Sequence, residues 1–263
     1  MKAILGGGEL AYDVRGSGPT VLFLHAFPLG MSMWEPQVRG LHESHRVVRF
    51  DARGFGASPP GEGLLSMERV AEDALALLDH LGLAQATVCG LSMGGYAAFA
   101  LYRRHPERVS ALVLADTRAA ADSDEAKKGR AELADRVRRQ GAEAAAEVFL
   151  PKLLGETSRR ERPELVTRVR EMILANPARG IGDALGGLAA RADATGLLRE
   201  IRVPTLFVVG EEDAVSPPAE MEKMHQQVAG SSFVKLARAG HLSNLEEPEA
   251  FTASLREFLR SRP

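Results

Sequence analysis

The sequence predicts an α/β fold in which a mostly parallel sheet is covered by helices on both faces. Three observations carry this. Short, largely apolar runs recur at residues 20–24, 47–50, 86–89, 111–115, 205–209 and 233–236. Runs without polar alternation mark strands buried on both faces, the condition of a parallel sheet. Segments with helical spacing alternate with them, as crossover connections require. Finally, Gly90-Leu91-Ser92-Met93-Gly94 lies between the apolar run Ala86-Thr87-Val88-Cys89 and the small apolar stretch Gly95-Tyr96-Ala97-Ala98-Phe99-Ala100. A strand there must pass through a sharp turn straight into a helix.

In chain order, residues 10–15 alternate apolar and polar side chains and read as a strand. Gly16-Ser17-Gly18-Pro19 is a turn, and residues 20–24 and 47–50 are buried strands. Residues 66–81 carry Val70, Ala74, Leu77, Leu78 and Leu81 at helical spacing, with Ser66, Glu68 and Arg69 as the entry and Gly82 as the stop. After the turn at Ser92 and its helix come the strands 111–115, 205–209 and 233–236. Residues 248–259 form a last helix with Phe251, Leu255, Phe258 and Leu259 on one face. Between Arg118 and Arg199 strand runs disappear, and Ala, Glu, Arg and Leu dominate in segments punctuated by Pro151, Pro163 and Pro177. This is a helical insertion. Both signs of charge are mixed along it, which marks a solvated helical surface rather than a binding patch.

Bulk properties narrow the function classes. The length, 263 residues, fits one large domain or one domain with an inserted subdomain. A formal net charge of -2 gives no attraction for nucleic acid. No stretch approaches the ~20 apolar residues of a membrane span. Residues 1–8 hold too short an apolar run for a secretory signal, so a cytoplasmic protein is expected. The single cysteine, Cys89, rules out an internal disulfide and reads as a small core residue.

The chemistry centres on Ser92. A G-x-S-x-G pentapeptide between strand and helix holds its serine out of the strand on a strained turn. Serine is a weak nucleophile and needs a base that accepts its proton near neutral pH. Histidine meets that need when a carboxylate fixes its tautomer. Downstream of Ser92, Asp213 follows the strand 205–209 in Gly210-Glu211-Glu212-Asp213, and His241 follows the strand 233–236 in Ala239-Gly240-His241. Both lie beyond carboxyl ends of strands, where sites in open α/β sheets collect. Asp116, after the strand 111–115, is the alternative acid. For an oxyanion, the expected donors are the backbone N–H of Met93 and that of Phe27, in the loop His25-Ala26-Phe27-Pro28 after the strand 20–24. His25 precedes the serine and is expected to brace that loop.

With these pieces in hand, the chain resembles the α/β-hydrolase superfamily over nearly its whole length. The matching segments are His25-Ala26-Phe27-Pro28, Asp51-Ala52-Arg53-Gly54-Phe55-Gly56-Ala57-Ser58, the Ser92 turn, Gly210-Glu211-Glu212-Asp213 and Gly240-His241. One departure is Ala26, where the early motif usually has glycine. The resemblance implies an eight-stranded, mostly parallel sheet with a helical cap inserted after the sixth strand. Residues 1–117 and 200–263 are then the core domain, and residues 118–199 the cap. Gly240-His241-Leu242-Ser243-Asn244-Leu245-Glu246 and Leu24-His25-Ala26-Phe27-Pro28-Leu29 are similar to the 3-oxoadipate enol-lactonase group and its esterase relatives.

The resemblance thus implies a serine hydrolase for a small-molecule ester or lactone, needing no metal and no organic cofactor. Trp34, Phe149, Leu153 and Leu188 are apolar candidates to line its pocket, and Arg53 is either a contact for an anionic substrate or a loop brace. A carbon–carbon bond hydrolase and a cofactor-free perhydrolase would use the same triad, and a small-molecule receptor with little turnover is the alternative outside enzymes. Other patterns carry less. Gly6-Gly7-Gly8-Glu9-Leu10-Ala11 imitates a dinucleotide fingerprint, but Gly16-Ser17-Gly18-Pro19 leaves no room for its helix. His42-Glu43-Ser44-His45 is one residue short of a zinc-binding H-E-x-x-H.

Overall fold

The computed structural model describes residues 1–260. Eight strands form one sheet: β1 (Lys2–Leu5), β2 (Gly8–Arg15), β3 (Thr20–Leu24), β4 (Arg46–Phe50), β5 (Ala86–Leu91), β6 (Val109–Ala115), β7 (Thr205–Gly210) and β8 (Ser232–Leu236). Their order across the sheet is β1-β2-β4-β3-β5-β6-β7-β8. β1 and β2 pair antiparallel, as do β2 and β4, and every later pair is parallel. β5 and β7 are buried at every position, as their apolar runs require.

Helices α1 (Glu35–Leu41), α2 (Met67–His80) and α3 (Met93–Arg104) link the first strands. The expected helix 66–81 is α2. Its N-cap Ser66 accepts the Arg69 N–H, and Gly82 just beyond it has φ +65°. Strand β1 is an element that the apolar-run pattern does not mark. It is a short edge strand with exposed side chains, turned into β2 by Gly6 and Gly7, both at positive φ. The glycine triplet that imitates a dinucleotide fingerprint is therefore a hairpin turn.

Between β6 and β7, the described chain forms five α-helices, α4 (Asp124–Gln140), α5 (Glu143–Leu153), α6 (Glu156–Glu161), α7 (Pro163–Leu174) and α8 (Ala178–Ala190), and a short 3-10 helix, Gly196–Glu200. Pro163 opens α7 and Pro177 is the N-cap of α8, but Pro151 lies inside the last turn of α5 rather than breaking it. The chain closes with α9 (Pro218–His225), α10 (Ser243–Glu246) and α11 (Pro248–Arg260). α2 packs on α3 and α1 on α11. Among the described residues, no helix is long and apolar enough to cross a membrane.

Candidate active site

Strand β5 ends at Leu91 and α3 begins at Met93, leaving Ser92 alone to reverse the chain at φ 54°, ψ -112°. Such a backbone costs a non-glycine residue about 1–3 kcal/mol and persists only when its surroundings hold it. Here the Ser92 N–H donates to Ala115 O at 3.0 Å, at the end of β6. Thr117 Oγ1 donates to Ser92 O at 2.8 Å. The flanking glycines are dictated by close approach. A Cβ on Gly90 would lie 2.2 Å from Gly94 O, and one on Gly94 would lie 2.0 Å from Leu24 O.

Asp213 and His241 meet directly. Nδ1 of His241 donates to Asp213 Oδ2 at 2.9 Å, and both side chains are buried. That bond fixes the tautomer and leaves Nε2 as the nitrogen able to take up a proton. The other carboxylate oxygen of Asp213 accepts the N–H groups of Val215 and Ser216, at 2.7 and 2.9 Å. Burial pushes the Asp213 carboxyl up, but the His241 ring and those two N–H groups outweigh it. Its pKa lies below the ordinary carboxylate value, so it stays ionised.

The alternative acid, Asp116, sits at φ 44° immediately after β6 and is fully buried. Its Oδ1 accepts the Gly210 N–H at 2.8 Å, and its Oδ2 pairs with Ser243 Oγ. Asp116 bonds to neither nitrogen of His241. Burial, reinforced by the negative charge of Asp213, pushes its carboxyl well above the ordinary value.

The early loop has the expected brace. Nε2 of His25 accepts the Ala52 N–H at 3.0 Å, so its Nδ1–H donates to Ala26 O at 2.9 Å, and burial lowers the ring's pKa. Ala26 is not among the positive-φ residues, so alanine fits where the related motif has glycine. The Phe27 N–H has no acceptor among the described residues. Met93 is the first residue of α3, and an N–H there has no intrahelical acceptor. Arg53 is a brace: its guanidinium forks onto buried Asp73 at 2.7 and 2.8 Å and also donates to Leu5 O.

Of the four apolar pocket candidates, Phe149 packs edge-on to Phe27 with ring centroids 5.2 Å apart. Leu153 O accepts the N–H of Leu242, the residue after His241. Leu188 is buried in α8. Trp34 is a core residue instead. It is fully buried, with its ring against Phe23 and Phe251, because the turn carrying it lies under α11 rather than under the insertion.

Three side chains that sequence patterns gave no role tie the insertion to these loops. Asn176, just after α7, donates to Pro28 O and accepts the Gly56 N–H, each at 2.8 Å. Glu212, beside Asp213, accepts the N–H and hydroxyl of Thr157. Glu246 is buried and accepts the N–H groups of Gly155 and Leu242. Glu212 and Glu246 stand within the quoted motifs. Their partners in the insertion lie 55 and 91 residues away, beyond any local pattern.

Comparison with known proteins agrees with this fold. A family profile described as alpha/beta hydrolase fold matches residues 19–248. The chain is 30% identical over 242 residues to 3-oxoadipate enol-lactonase 2 of Acinetobacter baylyi, covering 92% of this chain and 89% of that protein. Among solved structures, it is similar to a thermophilic esterase from Thermogutta terrifontis, with 43% identity and a TM-score of 0.96 over 99% of this chain and 98% of that one. It is also similar to the enol-lactonase from Burkholderia xenovorans, with 32% identity and a TM-score of 0.92 over 99% of this chain and 100% of that one.

Proposed function

The chain belongs to the alpha/beta hydrolase family, and from that premise we propose that it cleaves a carboxylic ester or lactone through an acyl-enzyme on Ser92. The observation that carries the reading is the buried 2.9 Å bond between His241 Nδ1 and Asp213, in the loops after β8 and β7, together with a serine held at φ 54° at the end of β5. Ser92 Oγ attacks the carbonyl carbon while His241 Nε2 takes its proton. Asp213 holds the tautomer and stabilises the imidazolium. The N–H groups of Phe27 and Met93 receive the oxyanion, each worth about 2.7–4 kcal/mol by analogy with measured donors. His241 then gives the proton to the leaving alkoxide. A water molecule repeats the sequence on the acyl-enzyme and releases the acid.

The insertion, residues 118–199, serves in this reading as a cap over the site. Phe149 against Phe27, with Leu153 and Leu188, supplies its apolar wall. Enol-lactone hydrolysis is the narrower form of the proposal, supported by the similarity to two enol-lactonases. The esterase likeness supports simple esters equally.

The test is turnover of a p-nitrophenyl ester and an enol-lactone by wild type and Ser92→Ala. Wild type should turn over at least one of them repeatedly, and Ser92→Ala should lose about 10⁴-fold or more in kcat. Full activity in Ser92→Ala would refute the reading.

A further inference from the structure

The end of β6 contacts the turn of Ser92 and the loops that carry Asp213 and His241. Ala115 O accepts the Ser92 N–H, and Thr117 Oγ1 donates to Ser92 O. Between them, Asp116 reaches two other loops with its two oxygens. Oδ1 takes the N–H of Gly210, the last residue of β7, whose own carbonyl accepts the Asp213 N–H at 3.1 Å. Oδ2 pairs with the hydroxyl of Ser243, two residues after His241. One planar carboxyl group therefore spans from the strand end that carries the acid to the turn that carries the base.

Ordinary packing does not account for a carboxyl group here. A fully buried carboxyl is costly, and an apolar side chain of similar volume would fill the same space. Its backbone is also held at φ 44°, a conformation that glycine, asparagine and aspartate enter more readily than other residues. Each oxygen has one partner, and those partners lie in the two loops whose separation sets the His241–Asp213 bond.

We propose that Asp116 is a positioning residue, a clasp that fixes the Asp213 and His241 loops against each other through Gly210 and Ser243; the proposal rests on the serine-hydrolase reading above. The charged and titratable groups facing it are Asp213, Glu246 and, through Asp213, His241. Two neighbouring buried carboxyls do not both ionise. Asp213 takes the charge, because two backbone N–H groups and the His241 ring favour it. Oδ1 of Asp116 accepts the Gly210 N–H and Oδ2 accepts the Ser243 hydroxyl. Asparagine keeps the Oδ1 acceptor for Gly210 and presents Nδ2 to Ser243, whose hydroxyl can turn to accept it, whereas alanine removes the clasp.

The experiment compares Asp116→Ala, Asp116→Asn and Ser243→Ala with wild type in two readouts. The first is kcat and KM on an aryl ester. Asp116→Ala should lower kcat about tenfold or more with KM within about twofold, since misplacement of reacting groups acts on the chemical step. Ser243→Ala should fall between it and wild type, and Asp116→Asn should recover kcat to within about threefold of wild type. The second readout is the NMR signal of the His241 Nδ1–H proton, which needs no turnover. It should persist in the Asn variant and exchange faster with solvent in the Ala variant. Should wild type hydrolyse no ester, the serine-hydrolase reading falls while this signal still decides the clasp. Asp116→Ala matching wild type in both readouts, or Asp116→Asn as impaired as Ala, would overturn the proposal. If the Ala variant fails to fold, Ser243→Ala and the Asn variant decide it by the same criteria.

Discussion

The loop leaving β6 and the loop leaving β7 present the same residue type at neighbouring strand ends and treat it in opposite ways. Asp116 and Asp213 are both buried. The chain after Asp213 turns back on itself, so that Val215 and Ser216 donate their N–H groups to one carboxylate oxygen while His241 takes the other. The chain after Asp116 runs out toward the insertion, and its carboxyl receives one backbone N–H and one hydroxyl contact. The first is held below the ordinary carboxylate pKa and the second well above it. Burial is common to both, so the supply of N–H donors and of an ionisable partner decides which one carries charge.

This contrast is tested most strongly by exchanging each acid for its amide. Asp213→Asn should lower kcat about 10⁴-fold, because the amide favours the wrong imidazole tautomer. Asp116→Asn, one residue beyond its own strand, should be nearly silent in kcat. Comparable losses in the two variants would erase the distinction.

Stability against pH separates the two loops with a smaller effect. Asp116 holds its proton in the folded chain at pH values where the unfolded chain has released it. Unfolding then releases a proton, so wild-type stability falls as pH rises from the ordinary carboxylate value toward the raised one. Asparagine has no proton to lose. Asp116→Asn should therefore gain on wild type from about pH 4 upward, by up to about 1.4 kcal/mol per pH unit. Asp213 runs the other way. Its contribution is present above the ordinary carboxylate value and is lost as pH falls through its lowered value in the folded protein. Melting curves of wild type and both amide variants across this range measure the two signs, and a pH-independent gap for Asp116→Asn would contradict the protonated state.

The smallest effect concerns Thr117. Thr117→Val removes the hydroxyl that donates to Ser92 O and should cost about 1 kcal/mol by chemical denaturation, with a few-fold loss in kcat. An unchanged variant would show that the turn at Ser92 is held without the β6 loop.

Much of this architecture is legible in the sequence, and the particular residues show why. The run 20–24 is a strand because Val21–Leu24 are consecutive apolar residues, as a strand inside a parallel sheet requires, and β3 is that segment. Ser66 announces α2 because a cap acts on a residue three positions away. The Ser92 turn and the placement of Asp213 and His241 beyond their strands, where the two side chains meet, follow from motif and order alone. The functions of Asp116, Glu246 and Asn176 are not, since Asp116 meets Gly210 and Ser243 at separations of 94 and 127 residues. Trp34 carries the same lesson in reverse. A large aromatic ring near a site motif suits a pocket or a core equally, and only its contacts with Phe23 and Phe251 assign it to the core.

The most direct measurement is the rate at which a fluorophosphonate labels the chain, followed by intact mass and peptide mapping. Wild type should acquire one adduct on Ser92, Asp116→Asn should label at nearly the same rate, Asp213→Asn should label orders of magnitude more slowly, and Ser92→Ala should not label. Labelling of another residue, or equal rates for Asp213→Asn and wild type, would contradict a Ser92 nucleophile activated by His241 and Asp213.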